Sequence, residues 1–301
     1  MVIKPLKGGI TMIRKSKVSE SDVDIMIDMY EQGYSAAAIC KVLPYTPHTI
    51  INHLRDKDIP IRSKAGYKKP FDEHFFKTID SEEKAYFLGF LMADGCIIER
   101  KCSQPCIAMQ LKSNDEYILK SFKEALHSDN KIGRNLKRNH SQFKIHSSIM
   151  AKELSVYGVV PRKTGYEKFP EDKIPHKYIK DFIRGFFDGD GWFTLTSSKG
   201  KPNRRISLGF TGNFDMLNHI KQFLIKELND ITDIKIHVYG DREKGYDGFS
   251  MMLFAKFDNV KQIGEWMYSN ATIYLTRKKQ VFDKAMKLIP SRRRIGRPRN
   301  A

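Results

Sequence analysis

Two stretches decide the fold: Phe87-Leu88-Gly89-Phe90-Leu91-Met92-Ala93-Asp94-Gly95 and Ile183-Arg184-Gly185-Phe186-Phe187-Asp188-Gly189-Asp190-Gly191. Each is an apolar run with small residues four apart that closes on Asp-Gly. Gly89 and Ala93 share one helix face, as do Gly185 and Gly189, because positions four apart lie one above the other. A face almost without side chains lets two such helices pack backbone against backbone, closer than Leu-lined helices allow. Each aspartate follows the second small residue at the helix end, and the next Gly suits a C-cap. The spacing predicts two paired helices that deliver Asp94 and Asp190, 96 positions apart, to one point at the foot of the seam. Carboxylates held that close repel unless they share protons or cations, and hard oxygen ligands favour Mg²⁺. Asp-Gly is also an ordinary turn signal, but two copies with the same small-residue spacing argue for the helix-end reading. Asp188 aligns with Met92 rather than with Asp94, so Asp190 takes the ligand role.

The flanks repeat as well. Ile107-Ala108-Met109-Gln110-Leu111-Lys112-Ser113-Asn114 precedes a helical stretch from Tyr117 to Leu126, and parallels Ile206-Ser207-Leu208-Gly209-Phe210-Thr211-Gly212-Asn213 before Met216 to Leu228. Both read as an alternating strand running into an amphipathic helix. With these flanks the motif pair resembles the LAGLIDADG homing endonuclease family in its single-chain, two-repeat form, over roughly residues 75–290.

That resemblance implies an α+β fold: two pseudo-symmetric αββαββα-type repeats whose strands form a saddle-shaped sheet along the DNA major groove. It implies site-specific, metal-dependent hydrolysis of one phosphodiester bond per strand at a long recognition site. Asp94 and Asp190 would hold Mg²⁺ or another divalent cation such as Mn²⁺, with the carbonyls of Ala93 and Gly189 as extra ligands. Bound metals activate water and neutralise charge at the phosphate. The family often places a lysine late in each repeat. Lys163 and Lys278, both in Arg-Lys contexts 69 and 88 residues after their aspartates, fill that place here, with Lys279 as the alternative in the second repeat. Ser113 and Asn114, against Asn213, are polar groups at the strand ends that could order solvent near the metals.

Charge agrees with a double-stranded DNA partner. Lys and Arg total 53 against 35 Asp and Glu, a formal net charge of +18, and such an excess attracts polyanions. Basic residues cluster in one expected hairpin (Lys131, Arg134, Lys137, Arg138) and in a second stretch (Lys199, Lys201, Arg204, Arg205) read as its repeat-related equivalent. No apolar run is long enough for a membrane span, and residues 1–17 form a basic arm without a secretory core. Met12 is an alternative start. Four cysteines (40, 96, 102 and 106) form no Cys-x-x-Cys pair, which points to free thiols in an intracellular, DNA-associated protein rather than to zinc.

Ahead of the repeats, residues 18–65 read as three helices. Ser19 opens a capping box to Asp22, Gly33 ends the first helix, Ser35 caps a second from Ala36 to Leu43, and Thr46-Pro47 begins a third to about Asp56. This stretch resembles helix-turn-helix domains of the resolvase and homeodomain-like type. The resemblance implies that His48, Thr49, Asn52 and Arg55 face DNA while Ile39, Ile50, Ile51 and Leu54 hold the core. Residues 66–74 form a linker, followed by repeat 1 (75–175) and repeat 2 (176–290). The tail, 291–301, contains Gly-Arg-Pro among arginines and resembles an AT-hook with Arg297 and Arg299 as its minor-groove arginines; Ile295 departs from that motif. A phosphate-binding tail is the other reading.

The expectation is a monomer. The alternatives are a maturase acting on intron RNA and a DNA-binding regulator that does not cut. The ends lack the terminal nucleophile and His-Asn of an intein, so a free-standing or intron-encoded enzyme is expected.

Overall fold

The structure is a computed structural model that describes residues 18–32, 34–61, 71–99, 104–197, 204–232, 234–239 and 249–289. The chain divides into two compact units, Met1–Lys68 and Lys69–Ala301.

The first unit holds α1 (Glu20–Glu31), α2 (Ala36–Ile39) and α3 (Pro47–Asp56). Its caps are those the sequence announces: Ser19, Ser35 and Thr46 side chains accept from the amides of Asp22, Ala38 and Thr49, and Pro47 occupies the first turn. Met26, Tyr30, Ile39, Leu43, Ile50 and Leu54 form its buried core, with Ile51 packed at its edge. The second helix stops at Ile39, short of the expected Leu43. Bonds from Lys41 to Ala38 and from Val42 to Ile39 tighten the chain into turns, and Leu43 precedes Pro44, which disfavours helical backbone at that position.

The second unit is one motif built twice. Repeat 1 runs α4 (Glu82–Asp94), β1 (Gly95–Ile98), β2 (Cys106–Lys112), α5 (Glu116–Ala125), β3 (Gly133–Asn135), β4 (His140–His146) and α6 (Ser148–Val156). Repeat 2 runs α7 (His176–Asp190), β5 (Gly191–Ser197), β6 (Arg204–Gly212), α8 (Phe214–Glu227), β7 (Lys235–Val238), β8 (Ser250–Phe254) and α9 (Phe257–Tyr268), then adds α10 (Thr276–Leu288). Two four-stranded antiparallel sheets result, ordered β1-β2-β4-β3 and β5-β6-β8-β7. This is the αββαββα repeat the sequence implies. One continuous core joins both repeats and is rich in aromatic rings from α4, α7 and the inner sheet faces.

Strand register corrects three expectations. Gly95 pairs with Met109 and Gly191 with Phe210. Met109 therefore corresponds to Phe210 rather than to Leu208, a slip of two residues. Because side chains alternate with period two, the slip leaves the buried faces unchanged. Second, the basic stretches are not repeat-related. Lys137 and Arg138 cap the β3–β4 hairpin, whose counterpart is β7–β8, whereas residues 198–203 join β5 to β6 and answer to the β1–β2 connection. Third, Gly95 and Gly191 do not cap their helices in a left-handed turn. Both are extended and start strands; a side chain there would collide with Leu91 or Phe187 one turn back.

Candidate active site

The seam between α4 and α7 is as bare as its glycines require. A methyl on Gly89 would land on the carbonyl oxygen of Phe182, and one on Gly185 on that of Tyr86. One turn further on, a methyl on Gly189 would strike the Ala93 methyl beside the Asp94 amide. Backbone-to-backbone contact therefore runs to the last turn of both helices, where Asp94 and Asp190 sit.

Asp94 is exposed and Asp190 half-buried at the rim of this seam, so solvent screens part of the interaction between them. Desolvation raises the Asp94 carboxyl above its ordinary value, against the pull of Lys278, Lys163 and Arg277. Asp190 is pushed up to about 7, first by desolvation and then by the charge of Asp94, with Lys163 and Lys278 opposing. A carboxylate pair in mutual repulsion is a site that a shared cation would relieve. Among the described residues no group of three or more His, Cys, Asp or Glu is placed to hold a metal. The pair and the neighbouring carbonyls are oxygen donors of the kind that suit a hard cation keeping most of its waters.

Each repeat also sends one buried lysine to the end of its own motif helix. Lys163 Nζ donates to the Ala93 carbonyl at 3.1 Å. Lys278 Nζ donates to the carbonyls of Phe187 (2.6 Å), Asp188 (2.8 Å) and Gly191 (2.5 Å). An ammonium there satisfies helix-end carbonyls and complements the negative end of the macrodipole. Burial lowers both lysines, Lys278 to about 8. The structure thus places Lys278, not Lys279, at the site; Lys279 pairs with Asp283 at 2.7 Å. The Ala93 carbonyl already carries an ammonium, while that of Gly189 takes no lysine among the described residues.

The neighbouring polar groups are already engaged. Asn213 caps α8 through Met216 N and donates to the backbone and carboxylate of Glu167. Asp188, set aside as a ligand, is fully buried: its Oδ2 accepts from Tyr86 OH (2.8 Å) and Leu275 N (2.7 Å). Its other oxygen has no partner among the described residues. Sequence reading missed a third group. Arg184, with no exposed surface, bonds Asp181, Glu82 and the carbonyls of Met267 and Ile273. Glu82 in turn accepts from Thr272. The available signals were an Arg and an Asp inside an otherwise apolar motif.

The expected DNA-contacting residues divide. His48, Asn52 and Arg55 share one face of α3; Asn52 Nδ2 donates to His48 Nδ1 at 3.3 Å, and the Thr49 hydroxyl is bonded to that of Thr46. Lys137 and Arg138 are exposed at the hairpin tip, and Arg205 is exposed on β6. Arg134 is placed differently. It opposes Ser141 on the helix-covered side of its sheet and grips Glu116 with Nε (2.6 Å) and Nη2 (2.5 Å). Lys199, Lys201, Arg297, Arg299 and the side chain of Arg204 lie outside the described residues, as do the basic arm, the tail, Gly33, Cys102 and residues 66–70 of the linker. Cys40 and Cys96 are free thiols.

No protein-family model and no curated protein matches the chain. Solved structures do. The LAGLIDADG meganuclease I-AabMI bound to uncleaved DNA aligns at 16% identity and a TM-score of 0.46, covering 66% of this chain and 87% of that one. The LAGLIDADG homing endonuclease I-GzeII in complex with its DNA target aligns at 14% identity and 0.47, over 67% and 90%. The meganuclease I-SmaMI bound to uncleavable DNA aligns at 11% and 0.46, over 66% and 87%.

Proposed function

We propose that this LAGLIDADG-type chain is a site-specific DNA endonuclease that makes metal-dependent double-strand breaks at a long recognition site. The observation that carries the proposal is the carboxylate pair: a seam almost free of side chains brings the helix ends of Asp94 and Asp190 together, and desolvation, followed by the charge of Asp94, lifts Asp190 to about 7. A pure binder gains nothing from two repelling carboxylates beneath a phosphate backbone.

The donor set suits Mg²⁺ or Mn²⁺. Asp94 and Asp190 would hold the ions with the carbonyls of Gly189 and Ala93, the Ala93 oxygen keeping a second lone pair beside its bond from Lys163. When bound, such ions supply an activated water and neutralise charge on the scissile phosphate and leaving oxygen. The residues themselves fix the geometry. The two helix ends set the carboxylate spacing through backbone contact, and that spacing cannot drift without separating the helices. Lys163 and Lys278 hold the helix-end carbonyls in place and present positive charge toward both aspartates, which favours an approaching phosphate. His48, Asn52 and Arg55 on α3, with Thr49 in its first turn, would add a second DNA-binding module whose tethering raises affinity through effective concentration.

The test is cleavage of a randomised duplex library in Mg²⁺ by wild type, Asp94→Asn and Asp190→Asn. Defined double-strand breaks that both substitutions abolish support the enzyme. Sequence-selective binding without cutting in Mg²⁺ or Mn²⁺ would replace it with the regulator. Selective binding of structured RNA over duplex DNA would replace it with the maturase.

A further inference from the structure

The uncovered faces of the two sheets are chemically unlike, although the strands beneath them correspond. Register fixes which side chains share each face. On repeat 1, Gln110 stands opposite Gln142, Lys112 opposite His140, Ala108 opposite Lys144 and Cys106 opposite His146. Six of these eight side chains carry groups able to hydrogen-bond, and two of them are already bonded to each other. The Gln110 amide donates to His140 Nδ1 at 3.1 Å, so its rotamer is set before any partner arrives. On repeat 2 the corresponding face places Trp192 flat across Gly209, with Leu253 next in line and Met251 beside Thr211. Thr194 and Ser207 complete the row. No Gln or Asn lies among the paired residues of this face; its basic residues are Arg205 near the start of β6 and, on the edge strand β7, Lys235 and His237 opposite Leu253 and Met251.

Base edges in the major groove distinguish such surfaces. A glutamine amide matches adenine N6 and N7 in a bidentate pair, and lysine matches guanine O6 and N7. Apolar atoms and threonine methyls can select only the thymine methyl and otherwise follow shape. We infer that the two halves of the protein read DNA by different chemistry. Repeat 1 specifies its half-site stringently through Gln110, Gln142 and their basic neighbours. Repeat 2 accepts many sequences and favours thymine methyls against Trp192, Met251 and Leu253. The inference rests on the DNA-endonuclease reading and names the class of target: one stringent half joined to one permissive, thymine-favouring half.

The experiment is selection of bound duplexes from a fully randomised library by the full chain, in EDTA so that cutting depletes nothing, followed by sequencing. Wild type, Gln110→Ala/Gln142→Ala and Met251→Ala are compared after a thermal melt confirms that each is folded. The expected result is high information content in one half only. The glutamine variant should lose roughly ten- to hundredfold preference at a few positions of that half. Met251→Ala should lose a few-fold thymine preference in the other half and leave the stringent one intact. Equal information in both halves overturns the asymmetry while leaving the endonuclease reading in place. Uniform weakening by the glutamine variant does the same, because it marks phosphate rather than base contacts. Absence of any sequence-selective duplex binding overturns both.

Discussion

Repeat 1 and repeat 2 share a topology, a helix-end aspartate and a buried lysine beside it, and differ in much of what their other side chains do. The further elements held in common are backbone features: glycine against carbonyl in the seam, a glycine opening the first strand, and the same sheet order. The features that diverge are polar. Where repeat 1 has Leu88 and Met92 in its motif helix, repeat 2 has Arg184 and Asp188, both buried and both bonded inside the protein, Asp188 through one of its two oxygens. The comparison separates what the paired site demands twice from what each half is free to change. Helix approach is demanded twice because the aspartates cannot meet without it.

The sharpest way to break the comparison is to put a methyl into the seam. Gly89→Ala and Gly185→Ala should each cost the core its native structure, read as loss of soluble, cooperatively melting protein. Neither methyl can be accommodated by a rotamer change, since the obstacle in both cases is a backbone carbonyl. Such a penalty falls in the exceptional range above ~4 kcal/mol. Gly189→Ala should be milder, because its obstacle is the Ala93 methyl at a helix end. If Gly89→Ala melted like wild type, the equivalence of the two motif helices would fail.

Next in size are the groups found on one side only. Arg184→Ala leaves the buried Asp181 and the partly buried Glu82 without their cation, and removing one partner of a buried ionic group costs about 3–5 kcal/mol. Leu88→Ala, at the matching position of repeat 1, should cost about 2–5 kcal/mol by cavity formation alone. Salt separates the two. Arg184→Ala should change how thermal stability depends on ionic strength, whereas Leu88→Ala should not.

The lysines sharpen the comparison at the site itself. Lys278 serves three carbonyls and Lys163 one. Lys278→Met should therefore lower stability by more than one hydrogen bond's worth, roughly 1–3 kcal/mol in all. Lys163→Met should cost about 1 kcal/mol or less while still reducing cleavage. Thermal melts beside strand-resolved cleavage would show it. Equal stability losses would mean that the two lysines do the same structural work.

The paired helices, the aspartates and the repeat were legible because they follow from spacing: small residues four apart, Asp-Gly at a helix end, apolar alternation in strands. Caps were legible for the same reason, since Ser19, Ser35 and Thr46 act within three residues of themselves. Register was not. The placement of Met109 opposite Gly95 depends on the length of the β1–β2 connection, which no local pattern records. The slip by an even number hid itself, as every residue stayed on its expected face. The basic hairpins misled through the same gap: charge clusters look alike whichever strands they join. Arg134 was read as a DNA contact because an arginine near a hairpin tip carries no mark of the carboxylate that will hold it from another helix.

That arginine supplies the smallest test and a difference between equivalent positions. Ser141 opposes Arg134 on the inner face, and the matching Ser250 opposes Val238. In repeat 1 the serine hydroxyl, the guanidinium and Lys120 converge on Glu116. In repeat 2 the Ser250 hydroxyl has no partner among the described residues. Arg134, then Ser141, draw the Glu116 carboxyl down from 4.5 to about 2. A carboxyl whose folded value is depressed stabilises the fold fully above its unfolded value. That contribution should therefore be intact above pH 4.5 and fade as pH falls toward 2. Because Arg134 is largely exposed, solvent screens the pair, and the melting temperature should drop by only about a few degrees over that window on this account. Glu116→Gln should remove that part of the acid sensitivity while leaving DNA binding at neutral pH unchanged. If Glu116→Gln instead strengthened or weakened duplex binding, Arg134 would be reaching DNA after all, and the inner face of repeat 1 would have to be counted with its outer one.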